Sequence, residues 1–119
     1  MATFSKTTLS GSTDGRGILV AATSSPGTVI HTGSATASTL HEVWLYAVNY
    51  DTTDRKLTIQ WGGQTAGNDD IEYTVKAENG LYLVTPGLLL KGNATPLIIR
   101  AFAATATAIV IHGYVNVIA

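Results

Sequence analysis

Three side chains could seed an imidazole site: His31, His41 and His112. A zinc ion or general acid–base chemistry needs two or three such groups converging, with carboxylates close by. The three histidines have neither HxH nor HExxH spacing. Glu42 follows His41 directly, but neighbours on a strand point to opposite faces. His112 lies inside the apolar run Ile109 to Val117 and reads as a partly buried hydrogen-bonding residue. The sequence therefore predicts no metal centre and no catalytic histidine.

Other chemistry-bearing groups fare no better. Asn68-Asp69-Asp70 offers oxygen ligands of the kind calcium takes, yet a DxDxDG loop is absent and these are ordinary turn residues. Ser34 and Ser38 sit in no GxSxG elbow. Gly62-Gly63 matches neither a P-loop nor a GxGxxG turn. Asn93-Ala94-Thr95 fits the glycosylation pattern, which matters only in a secreted chain. There is no cysteine, hence no disulfide and no thiolate ligand. The aromatic resource is larger: Trp44, Trp61, Tyr46, Tyr50, Tyr73, Tyr82 and Tyr114. A sugar-binding platform would expose two or three of them on one face. Most alternate with Leu, Ile and Val, as aromatics of cores and interfaces do.

The elements that would hold these residues are short strands. Residues 1–17 contain only Phe4 and Leu9 as large apolar side chains after Met1, and read as an extended arm. Residues 18–119 form the domain. Ile18 to Ala22 and Thr28 to His31 are β signals around the turn Ser25-Pro26-Gly27. Glu42 to Tyr50 is apolar on both faces, as a covered central strand would be. Leu57, Ile59 and Trp61 alternate with polar residues, and so do Ile71, Tyr73 and Val75. Glu78-Asn79-Gly80 is a turn before Leu81 to Val84, which Pro86-Gly87 closes. Leu88-Leu89-Leu90 fits a short strand or an apolar plug. The last two runs, Leu97 to Ala104 and Ala108 to Ile118, are rich in β-branched residues, which favours strands over helix. The pattern predicts an all-β antiparallel sandwich or jelly roll of seven to nine strands. Trp44 or Tyr46, Leu57, Ile59, Val75, Leu83, Ile99 and Ile111 are expected in its core.

Composition narrows the function. Seven Lys and Arg against eight Asp and Glu give a net charge of −1 over 119 residues. Phosphate backbones demand clustered positive charge, so no nucleic-acid partner is expected. The apolar runs are too short to span a bilayer, so no membrane partner is expected either. The start, Met-Ala-Thr-Phe-Ser-Lys-Thr-Thr, lacks an apolar segment of signal-peptide type, and the chain is expected to fold where it is made. Charged residues are only 13%, against about 25% in an average chain. Much of the outside is therefore expected to lie against other subunits.

Four segments carry a resemblance: Glu42 to Asn49, Arg55 to Gly63, Val84 to Gly92 and His112 to Asn116. Over about residues 28–118 the chain resembles short structural proteins of tailed-bacteriophage virions. The resemblance implies a β-sandwich capsid decoration, or cement, protein on the outer head surface, made in the host cytoplasm. It implies the major capsid protein as partner, a homotrimer as assembly, and neither catalytic residue nor cofactor. Head fibre base, neck and tail proteins would fit similar demands. A carbohydrate-binding module and a cupin-type barrel enzyme are the alternatives from other classes. The arm is expected to reach a neighbouring chain through Phe4, Lys6, Leu9 and Arg16.

Overall fold

β-Branched and aromatic residues in short runs, punctuated by glycine, proline and Asx turns, suit a pleated backbone. The computed structural model describes residues 2–119 and shows nine strands and no helix among them. The strands are β1 (Phe4–Thr8), β2 (Ile18–Leu19), β3 (Thr28–Thr32), β4 (Leu40–Asn49), β5 (Arg55–Trp61), β6 (Asp70–Val75), β7 (Tyr82–Lys91), β8 (Ile98–Ala103) and β9 (Ile109–Ile118). They make two antiparallel sheets. One runs β1-β9-β4-β7, with β2 also on β9; the other runs β3-β8-β5-β6. Beyond β2 the chain changes sheet at every connection except β5 to β6. Counting β1 and β2 as one interrupted edge strand, this is the eight-stranded double-sheet arrangement of a jelly roll.

The core lies between the sheets. Val43, Leu45 and Ala47 of β4 and Ile109, Ile111 and Val115 of β9 face Leu57 and Ile59 of β5 and Ile99 and Ala101 of β8. Five expected core residues, Leu57, Ile59, Val75, Ile99 and Ile111, are buried there. Trp44 and Tyr46 are not: they are half-buried on the outer face of the five-stranded sheet. Leu83 is 37% exposed. The reason is parity. Glu42 must stay in water, and Trp44, Tyr46 and Val48 share its side of the strand.

Pro86-Gly87 does not close a strand, and Leu88 to Leu90 is not a separate element. β7 runs through both, with register shifts against β4 at Val43/Trp44 and Leu45/Tyr46. Gly87 has φ +72°, and a Cβ there would lie 2.9 Å from the Trp44 ring. Glycine thus supplies both the turn in the strand and the space for the indole.

The arm also differs from its expectation. Met1 lies outside the described residues. Phe4–Thr8 is extended, but it pairs with the chain's own β9, from Phe4↔Ile118 to Thr8↔Tyr114. β2 continues along the same edge, with Ile18↔Ile111. Unpaired backbone groups on β9 need partners, and a polar strand meets that need as well as an apolar one. Leu9 is 1% exposed and belongs to the core. It is no outward anchor.

Candidate functional site

The two sheets present unlike outer faces. On the four-stranded sheet the outward positions include Lys56, Glu72, Asp70 and Arg100, and Lys56 Nζ lies 2.9 Å from Glu72. On the five-stranded sheet, register places outward pairs across β9 and β4: Ile118↔Leu40, Asn116↔Glu42, Tyr114↔Trp44, His112↔Tyr46 and Val110↔Val48. β1 extends the rows with Phe4 and Lys6, and β7 with Leu83, Pro86 and Leu89. Phe4 is 74% exposed and Leu89 49%. Strands of this length, four abreast, give a face of roughly 600 Å². A standard interface buries about 800 Å² per partner.

The face is organised by hydrogen bonds as well as apolar contact. Trp44 Nε1 and Asn116 Nδ2 both donate to Glu42 Oε1, each at 2.9 Å. These bonds, Asn116 first and Trp44 second, hold the Glu42 carboxyl below its ordinary pKa. The Trp44 and Tyr114 rings stack with centroids 6.0 Å apart and planes 10° apart. Lys6 Nζ sits 4.8 Å from the Tyr114 centroid, a cation–π contact of about 0.5–1 kcal/mol at an exposed site. A groove beside them is lined by Phe4, Lys6, Glu42, Asn116 and Ile118. Thus two of the four expected contact residues, Phe4 and Lys6, meet on one face. Arg16 is exposed in the loop between β1 and β2, and Leu9 is buried.

Two aromatic rings on one exposed face are what a sugar platform requires. Here, however, the rings stack on each other and Lys6 lies over Tyr114, so each ring gives one of its faces to a neighbour in the same chain. The histidines divide. His31 and His41 are in contact inside the sandwich, with Nε2 and Nδ1 2.8 Å apart. His112 is on the outer face opposite Tyr46. The three therefore do not converge as a cupin-type site would need. Among the described residues no cluster of three or more His, Cys, Asp or Glu could hold a metal ion.

Asp69 accepts hydrogen bonds from the Thr65 backbone N–H and from Asn68, which lower its pKa and close a turn. The Asn68-Asp69-Asp70 segment is thus a structured loop. The sequence reading missed the His31–His41 contact, because pairing between sheets has no local spacing. It also missed the Glu42, Trp44 and Asn116 cluster, although the shared parity of Glu42 and Trp44 was available.

Compared with family models, curated proteins and solved structures, the chain matches none of them.

Proposed function

We propose that this chain is a non-enzymatic structural protein of a tailed-bacteriophage virion. Within that class it is a capsid decoration, or cement, protein that binds the outer head surface and stabilises the shell. The observation that carries this reading is the outer face of the five-stranded sheet, rich in aromatic and aliphatic side chains and uncovered among the described residues, set against a charged face on the other sheet. Exposed apolar side chains gathered on one face and rimmed by polar ones mark an association surface. Low charge density and the sequence resemblance support the same reading.

In this function the face is covered by other chains. Copies of the protein close into a trimer, and the trimer seats on the major capsid protein. The exposed Leu83 and Leu89 of β7 carry the face to the edge of the sheet. Pro86-Gly87 and the two register shifts disrupt the β7 edge, so side chains rather than strand addition make the contact. Neither nucleic acid nor membrane is a partner in this reading, and no cofactor is needed.

The test is co-sedimentation with phage shells that lack the protein, alongside sedimentation of the protein alone. Wild type is expected to self-associate and to pellet with shells. Leu89→Glu, at an exposed outward position, is expected to keep the fold and to lose association by tenfold or more. A wild-type protein that stays monomeric and leaves shells unbound overturns the proposal.

A further inference from the structure

The two buried histidines join three parts of the molecule. His31 is on β3 of the four-stranded sheet, His41 on β4 of the five-stranded sheet. The segment after β1 completes the group. Ser10 N–H donates to His31 Nδ1 at 3.0 Å, and Thr32 N–H donates to Ser10 Oγ at 2.6 Å. Gly11 N–H donates to the Ile30 carbonyl at 2.9 Å. A Cβ on Gly11 would lie 2.6 Å from the Val29 carbonyl oxygen, so this approach requires glycine.

The chain of donors fixes the tautomers. His31 Nδ1 accepts from Ser10, so the proton of the neutral ring is on Nε2. Nε2–H then donates to His41 Nδ1, 2.8 Å away. Each ring nitrogen within the chain has one role, and an added proton has no place. A proton on His31 Nδ1 would face the Ser10 N–H. A proton on His41 Nδ1 would face the His31 Nε2–H. Either converts a hydrogen bond into two opposed donors.

Among the described residues no charged side chain offsets that clash. The inward residues paired with the two rings are Ile99 on β8, Leu90 on β7 and Val117 on β9. Leu9 precedes the segment and is buried. Glu42, Lys91 and Arg100 have the opposite parity and lie on the outer faces. Among the described residues the only titratable side chain facing His31 is therefore His41.

We propose that the His31–His41 pair is an acid-sensitive latch, holding residues 9–11 and both sheets together at this end, and that one added proton releases the segment. Burial first, and the charge of His41 second, lower the His31 pKa from 6.5 to about 4. Burial likewise lowers that of His41. The sign follows from linkage. The opened state binds protons from about pH 6.5 downward while the closed state resists them until about pH 4. Closure is thus fully favoured above pH 6.5 and is lost as pH falls from there to about 4. The latch stands independently of the virion reading, since it concerns one chain alone.

The experiment is amide hydrogen exchange on the isolated protein by NMR, corrected for intrinsic rates, between pH 7 and pH 4. The amides of Ser10, Gly11 and Thr32 are expected to lose up to about 300-fold of their protection, tenfold for each unit of displaced pKa. The Ile59 amide in the centre of β5 is expected to hold. His31→Gln removes the more deeply shifted ring and leaves His41 as the one titrating member of the pair, and should weaken the acid response to well below that of wild type. If that variant does not fold, ring titration of the wild type decides. His31 should be the Nε2–H tautomer at pH 7 and should titrate near 4. Unchanged protection down to pH 4, an ordinary ring pKa near 6.5, or an equal acid response in His31→Gln overturns the latch.

Discussion

Leu9→Ala separates a segment that belongs to the domain from an arm that merely touches it. Leu9 is 1% exposed and packs with the core residues. It is flanked by β1, paired along β9, and by Ser10 and Gly11, bonded to His31 and Ile30. Truncating a buried leucine costs about 2–5 kcal/mol, depending on how far the site collapses. Unfolding entropy of about 2.1 cal/mol/K per residue gives roughly 0.25 kcal/mol/K for this chain. The melting temperature should therefore fall by roughly 8–20 °C. Phe4→Ala is the matched control. Phe4 is 74% exposed, so domain stability should change by at most about 0.5 kcal/mol. The assay is calorimetry with urea melts, at two protein concentrations a hundredfold apart. A core loss is the same at both, whereas a loss of subunit contact varies with concentration. A Leu9→Ala protein that melts like wild type at both concentrations would refute the packing argument. Deleting residues 2–17 should then be harmless too. On the structure described, that deletion strips one edge of β9 and opens the core.

Gly87→Ala should destabilise more than Gly80→Ala in urea melts. Both glycines have φ near +70°, a strain of about 1–2 kcal/mol for alanine. Only at Gly87 would the new Cβ also meet the Trp44 ring, at 2.9 Å, while Gly80 has open space. Equal losses would remove the indole from the account. Thr85→Val should be neutral or stabilising by up to about 1–2 kcal/mol, because Thr85 Oγ1 is buried without a partner and valine keeps the shape. A clear loss in the same melts would mean that the hydroxyl has a partner.

The fold was largely legible because period-two patterning in Leu57 to Trp61 and Ile71 to Val75 exposes its buried parity directly. β4 was not legible in that way. Val43, Leu45 and Ala47 alternate with Trp44, Tyr46 and Val48, and both sets are apolar. Hydrophobicity alone cannot choose between them, and the larger side chains were the natural choice for a core. The polar residues decide. Glu42 on β4 and Asn116 on β9 are register partners. Their parity sends Trp44, Tyr46 and Tyr114 outward. β7 was split at Pro86-Gly87 because those residues usually end strands. In this molecule they bend one, and the bend seats Trp44.

The candidate site was hidden for a related reason. A bare apolar face looks, in sequence, like a buried one, since both consist of the same residues. What distinguishes them is whether the chain supplies its own cover. For the inner face of β4 the cover is β5 and β8, legible as alternating strands. For the outer face no element among the described residues supplies it: the nine strands are placed, and none lies over Trp44, Tyr46 and Tyr114. The arm, expected to reach a neighbouring chain, does not lie over that face. Its backbone instead completes the edge of β9, and its side chains Phe4 and Lys6 widen the same open face. The segment that reads as a free arm is thus an edge strand of its own domain.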